Sequence, residues 1–319
     1  MNLTLVAVVA IALFFDFTNG FHDTANSIAT SVSTRALSPR VAVASAAVLN
    51  FAGAFVSVAV AATIAKGIID QDAITLEIVM AGLVGAITWN LITWLIGLPS
   101  SSSHALIGGM IGSAIAASGW GVVNWGGIKD KVLIPSLIAP FLGVAFAFLL
   151  ILGITWLVAR RAPTKVNRGF RKAQLVSGAF VAFTHGTNDA QKTMGIIALA
   201  LVASGHLDPN FERPPTWVIA ASALAMAAGT YAGGWRIIKT LGQRIAKIDP
   251  AQGFAAQTAC ASILWGTAHF GFPVSTTHTI SGSVLFSASR SAGNISWMPS
   301  LKATISPPST CSQGEPASG

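Results

Sequence analysis

Two short motifs, rich in groups that could hold ions, each occur twice in this chain and in the same order. Asn19-Gly20-Phe21-His22-Asp23-Thr24-Ala25-Asn26 returns as His185-Gly186-Thr187-Asn188-Asp189-Ala190-Gln191-Lys192, with Gly20 over Gly186 and Asp23 over Asp189. Gly97-Leu98-Pro99-Ser100-Ser101-Ser102-Ser103-His104 returns as Gly271-Phe272-Pro273-Val274-Ser275-Thr276-Thr277-His278. The first motif sets a carboxylate and amides beside a glycine that permits an unwound backbone. Freed carbonyls, Asp23 or Asp189, and the amides of Asn26, Asn188 or Gln191 form an oxygen set able to ligate a hard cation. The second reads as a helix N-terminus, where proline at a first helical position precedes hydroxyl residues. Its free N–H groups and positive dipole end attract an anion. Ser101, Ser102, Ser103, Ser275, Thr276 and Thr277 add hydroxyl donors, which can hold a tetrahedral oxyanion without the grip of an arginine clamp.

Each constellation also has a plainer reading. One Asp could cap a helix in a polar loop, and one Pro-Ser run could be an ordinary N-cap and turn. Duplication in register, inside apolar sequence, favours binding in both cases. His22, His104, His185 and His278 lack His-x-x-x-His or Cys-rich spacing and read as hydrogen-bonding elements of helix breaks, so no metal beyond Na⁺ is expected. Lys192, three residues after Asp189 on one helical face, either neutralises that carboxylate or adds charge for an anion. Asp16 is either a coupling residue or part of a polar face within the bundle.

The elements that must position these groups are membrane helices. Only 9% of the 319 residues are charged and 53% are apolar, with mean hydropathy +0.66. A soluble chain would carry about a quarter charged residues. Val132 to Ala159 has no charged residue, and stretches near 41–65, 78–97 and 216–235 are also long enough to cross a bilayer, which takes about 20 residues. The net charge of +8 sits mainly in loops, which excludes a nucleic-acid-binding reading and marks the cytoplasmic side. Arg160, Arg161, Lys165, Arg168, Arg171 and Lys172 form one such cluster, Arg35 and Arg40 a second, and Arg236, Lys239, Arg244 and Lys247 a third. The basic loop follows the Asp motif in the first half but precedes it in the second, so the repeats are expected to be inverted in topology. Met1 to Phe15 lacks a basic leader region and a small-residue cleavage site, so no removable signal peptide is expected. The nine tryptophans read as interfacial anchors, and Cys260 and Cys311 suggest neither a disulfide framework nor a metal knuckle.

The expected architecture is therefore an all-α polytopic membrane protein of two inverted-topology repeats with broken helices and re-entrant-type hairpins. Residues 1–159 form the first repeat, 160–172 a basic cytoplasmic linker, 173–287 an incomplete second repeat and 288–319 a polar tail. A first helix near 3–15 is expected to break at the Asp motif and resume to about residue 32, with spans near 41–65 and 75–97, a Ser-rich hairpin at 98–118 and a span at 132–159. The second half repeats this order, with a hairpin at 272–287.

Taken together, the four motif copies resemble the inorganic phosphate transporter (PiT) family over residues 1 to 285. The resemblance implies phosphate uptake by symport with Na⁺ or H⁺ at the interface of two inverted repeats in the cell inner (plasma) membrane. It implies substrate contacts from Ser101 to Ser103 and Ser275 to Thr277, and ion and substrate binding by Asp23, Asn26, Asp189 and Gln191. The residues themselves add Lys192 to the substrate set, with Gln191, and Asn188 to the coupling-ion set, with Asp23, Asn26 and Asp189. The substrate is inorganic phosphate, free or as metal-phosphate, or else sulfate; no cofactor is needed, and a homodimer is one assembly left open. One departure stands out: the charge-free span 132–159 has no counterpart near 306–333, because no segment after Val284 could span a membrane. The abrupt compositional change leads to the expectation of a shifted frame or a truncated C-terminus. An intramembrane hydrolase using Ser and His is the rival reading, and an open channel a second.

The topology has a direct check. A cysteine replacing Lys165 is expected to react with impermeant reagent only from the cytoplasmic side and one replacing Asp208 only from outside; labelling of both from one face would contradict inversion.

Overall fold

The computed structural model describes residues 2–70, 73–241 and 248–289. In the first half α1 (Leu3–Ser33), α2 (Pro39–Gly53), α3 (Ala59–Gly67), α4 (Leu76–Ile96) and α5 (Ser102–Ser118) follow one another. A short α6 (Trp125–Gly127) then passes through a π-helical stretch, Ile128–Leu133, into α7 (Ile134–Val158). The second half contains α8 (Pro163–Ala203), α9 (Thr216–Ala232), α10 (Trp235–Lys239), α11 (Pro250–His269) and α12 (Thr276–Ser289). Among the described residues the architecture is all-helical apart from one isolated bridge between Ile69 and Val123, as the sequence led one to expect. Among the described residues, three helices, Leu3–Ser33, Leu76–Ile96 and Trp125–Val158, are long and apolar enough to cross a membrane. The last has a mean hydropathy of 2.7 in its central window. Its exposed side chains include Leu137, Phe141, Leu149 and Trp156, the composition expected against lipid. Its buried Ala139, Gly143 and Ala147 let it approach α12, where Gly143 meets Ser283 and Thr279.

The Asp motifs correct the expectation of broken helices at those positions. Both α1 and α8 run unbroken through them. The glycines serve close packing instead: Gly20 lies on the backbone of Met226 and Gly229 in α9, and Gly186 on the backbone of Asn50 in α2. Reciprocally, Gly229 abuts Phe17 and Gly53 abuts Phe183. Phe17 and Phe183 share the register of Gly20 and Gly186 (166 residues apart), so one helix crossing is made twice, each time between opposite halves. Such crossings need residues without a Cβ, as in tightly packed membrane helices.

The breaks occur elsewhere. Residues 97–101 separate α4 from α5, and 270–275 separate α11 from α12; each hydroxyl motif is the turn between two helices, and the stretches expected as hairpins, 98–118 and 272–287, are each a turn followed by one helix. Gly97 and Gly271, with φ of 70° and 74°, take the left-handed conformation that favours glycine. The expected single span near 41–65 is also two helices, α2 and α3, matched by α9 and α10. Most of the basic segment 160–172 is the start of α8 rather than a free linker. Residues 290–319 lie outside the described residues, and with them the expectations about the tail and the missing last helix.

Helix direction follows from hydrogen bonds at the ends. Thr34, just beyond α1, donates to Gln174 near the start of α8 at 2.6 Å, while Asp16 lies beside Thr193 further along α8. The two motif helices therefore run antiparallel, and the repeats with them. The two ends of this pair are sealed differently. At the Thr34 end, Gln257 Nε2 donates to Thr30 (2.6 Å) and Ser31 (2.7 Å), and its Oε1 accepts from Ser177 (2.7 Å). The repeat-related positions of Thr30, Ser31, Gln257, Ser177 and Gln174 are Ile196, Ile197, Leu83, Ile11 and Val8, all in one apolar cluster. One end is a hydrogen-bonded network and the other an apolar plug.

A Cβ at position 186 would strike the backbone of α2. Gly186→Ala is expected to destabilise by about 1–3 kcal/mol through overpacking. At Gly85, where nothing lies within 4 Å, Ala is expected to stabilise by up to about 1 kcal/mol through helix propensity. Melting in detergent checks the opposite signs.

Candidate functional site

The site lies where the middles of α1 and α8 meet the N-termini of α5 and α12. On α1, Asp23 is 2% exposed, and on α8 Asp189 is 1% exposed. An ionised group so placed demands partners or an ion. The Asp23 carboxylate contacts His22 Nδ1 at 2.8 Å through Oδ1 and accepts from Ser102 Oγ at 2.8 Å through Oδ2. Ser102 Oγ also lies 2.5 Å from the Asn19 amide oxygen. The far ring nitrogen of His22 meets Thr93 at 2.9 Å. Asp189 Oδ2 contacts His185 Nδ1 at 2.9 Å and accepts from Thr276 Oγ1 at 3.3 Å, while Oδ1 pairs with the Lys192 ammonium.

The three hydroxyl residues of each cluster divide the work by position. Ser101 and Ser275 cap their helices, accepting from the backbone N–H of His104 (3.2 Å) and His278 (3.3 Å). This is the ordinary capping role. Ser102 and Thr276 reach the carboxylate of their own repeat. Ser103 and Thr277 cross to the other repeat: Ser103 accepts from Lys192 Nζ at 2.5 Å, and Thr277 accepts from Asn26 Nδ2 at 2.9 Å. Each pair of contacts is one contact made twice, because Asn26 and Lys192 occupy the same repeat position, as do Ser103 and Thr277. The rings of His104 and His278 lie 5.1 Å apart where the hairpin tips meet.

The repeat symmetry is broken in charge. Lys192 neutralises Asp189, whereas its counterpart Asn26 brings no charge toward Asp23. One ligand atom each from Asp23, His185 and Asp189 lie within 4.8 Å of one another, so the carboxylates of opposite repeats face a common point. This donor set suits a cation, and its imidazole extends the range to transition metals. Neither amide atom of Asn188 has a hydrogen-bond partner among the described residues, so its oxygen and nitrogen remain free to bind.

Gln191, grouped with the substrate residues by sequence, is turned away. Its Oε1 accepts from the backbone N–H of Val60 (2.8 Å) and Ala61 (3.3 Å), and its Nε2 donates to Thr187 O at 2.5 Å. The break between α2 and α3 leaves N–H groups that need this acceptor. Conversely, sequence reasoning assigned no role to Thr93, Asn19 or Ser100, although Ser100 O accepts from Thr277 at 3.0 Å. The signal for Thr93 was present as Asn90 and Thr93, spaced i,i+3 and both buried in a largely apolar helix.

With this geometry established, known proteins add their weight. A profile of the phosphate transporter family matches residues 19–303. The "Probable low-affinity inorganic phosphate transporter" of Mycobacterium bovis is 54% identical over 292 residues, covering 89% of this chain and 69% of that protein. A Rhizobium meliloti protein of the same description is 47% identical, covering 92% and 88%. Among solved structures, one described as "The sodium-dependent phosphate transporter" superposes with a TM-score of 0.82 at 23% identity, covering 92% of each chain, a likeness of fold. Matched across most of its length by the family profile and by relatives at about half identity, this chain belongs to the phosphate transporter family.

Proposed function

We propose that this membrane protein is a secondary active transporter that carries inorganic phosphate inward across the plasma membrane with Na⁺ or H⁺. The observation that carries this reading is that each buried carboxylate holds a hydroxyl of its own helix N-terminus, Ser102 on Asp23 and Thr276 on Asp189. An oxyanion needs those same hydroxyls, so it competes with the carboxylates for them. A cation on Asp23 cancels the charge that binds Ser102 and releases the hydroxyl. Phosphate then gains donors from Ser102, Ser103, Thr276 and Thr277, with the Lys192 ammonium close by. Neither solute binds well alone, and that mutual requirement is what symport needs. Asp189 has its own ammonium, so Asp23 is the carboxylate with the larger demand for the cation. Asp23, His185 and Asp189 would also accept a divalent ion travelling with phosphate.

The carrier reading also has the better account of Ser101 and His104. Their 2.8 Å contact belongs to a helix cap in which Ser101 Oγ already accepts from the peptide N–H. A hydrolase would need that hydroxyl free for attack and the imidazole held by a third group.

Asp23→Asn leaves a neutral amide where the cation is proposed to act. Gradient-driven uptake in proteoliposomes is expected to disappear, while binding of labelled phosphate loses its dependence on Na⁺ or pH. Uptake at the wild-type rate would remove Asp23 from the coupling role.

Ser102→Ala and Thr276→Ala are each expected to weaken phosphate binding by about 1–3 kcal/mol, the cost of an unmet polar partner. Competition between phosphate and sulfate in counterflow would measure the same site's selectivity. Unchanged half-saturation in both variants would reduce the clusters to helix caps.

A further inference from the structure

Asp16 has no role in the site described above, yet it is the most demanding group in the bundle. It is 0% exposed, and neither carboxyl oxygen has a hydrogen-bond partner among the described residues. Asn19 and Thr193 stand beside it without completing a hydrogen bond of ordinary geometry, and the Thr193 hydroxyl is itself unpartnered. On α1, Asp16 lies one turn before Asn19 and two turns before Asp23, on the same helical face. Its repeat counterpart is Ala182. The duplication therefore does not explain it, just as it does not explain Lys192.

The charged groups whose fields reach Asp16 are Asp189 and Lys192, both on α8. The other elements packed on α1 bring none there. From α9 the titratable residue is Tyr231, which is exposed, and the buried residues of α4 and α2 are uncharged. A bare carboxylate without donors in an apolar interior is far less stable than the neutral acid. Lys192 already pairs with Asp189, so it does not serve Asp16 in this conformation.

We propose that Asp16 is a proton-binding residue of the transport cycle, neutral in the conformation seen here and ionised in another. Release converts the carboxylic acid to a carboxylate and passes one proton to water reaching the site. The Lys192 ammonium, freed from Asp189 when the cation held by Asp23 also meets that facing carboxylate, then stabilises the new charge. Asp16 would thus add a proton to the cation at Asp23, and the inference rests on the symport reading above.

The test compares wild type with Asp16→Asn and Asp16→Glu in detergent and in proteoliposomes. Infrared spectra of the purified proteins are expected to contain the C=O stretch of a protonated carboxyl that Asp16→Asn lacks. Asp16→Asn is expected to keep counterflow of labelled phosphate but lose accumulation under an imposed pH gradient, and Asp16→Glu to retain both. Identical carboxyl bands in wild type and Asp16→Asn, or wild-type accumulation by Asp16→Asn under that gradient, would overturn the proposal. So would loss of counterflow in a monodisperse Asp16→Asn, which would make Asp16 part of the substrate site. Absence of phosphate counterflow in wild type would refute the transport reading instead, and the infrared band would still decide whether Asp16 holds a proton.

Discussion

The rest of the structure depends on one constraint: two carboxylates, Asp23 and Asp189, are held in the middle of an apolar helical bundle. Leaving a buried charge unpaired costs more than most single contacts return. The fold meets this cost by bringing two helix N-termini to the carboxylates. The breaks at Gly97 and Gly271 turn α5 and α12 back toward α1 and α8, so that Ser102 and Thr276 arrive at hydrogen-bonding distance. The apolar helix α7 packs on α12, and the close crossings at Gly20 and Gly186 lock α1 against α9 and α8 against α2, which fixes the helices that carry the carboxylates.

Duplication provides the frame, and departures from it provide direction. The contacts of Asp23 with Ser102 and of Asn26 with Thr277 have counterparts in Asp189 with Thr276 and Lys192 with Ser103. A strictly two-fold molecule would treat both membrane faces alike. This one places its single site ammonium on α8, an extra carboxylate on α1, a hydrogen-bonded network around Gln257 at one end and an apolar cluster around Leu83 at the other. Water competes for hydrogen bonds but not for apolar contacts.

Much of this was determined by sequence alone. Low charge, long apolar runs, paired motifs and the placement of basic loops were sufficient for an all-helical membrane protein of two antiparallel repeats, because those properties depend on local composition and on period. That both motifs belong to one site at the repeat interface was implied by the resemblance, but that each carboxylate takes a hydroxyl from its own repeat was not legible in sequence. Tertiary structure alone decided what the motif glycines do. Gly20 could equally have unwound its helix; the backbone of α9 pressed against it shows that it is there for contact. The same holds for Gln191, whose amide is claimed by α3, an element distant in sequence. It also holds for the division of each hydroxyl triplet into a cap, a carboxylate partner and a contact across the repeats. Such choices rest on which distant backbone comes within about 3 Å of a side chain, and that distance is set by the packing of whole helices rather than by any local pattern.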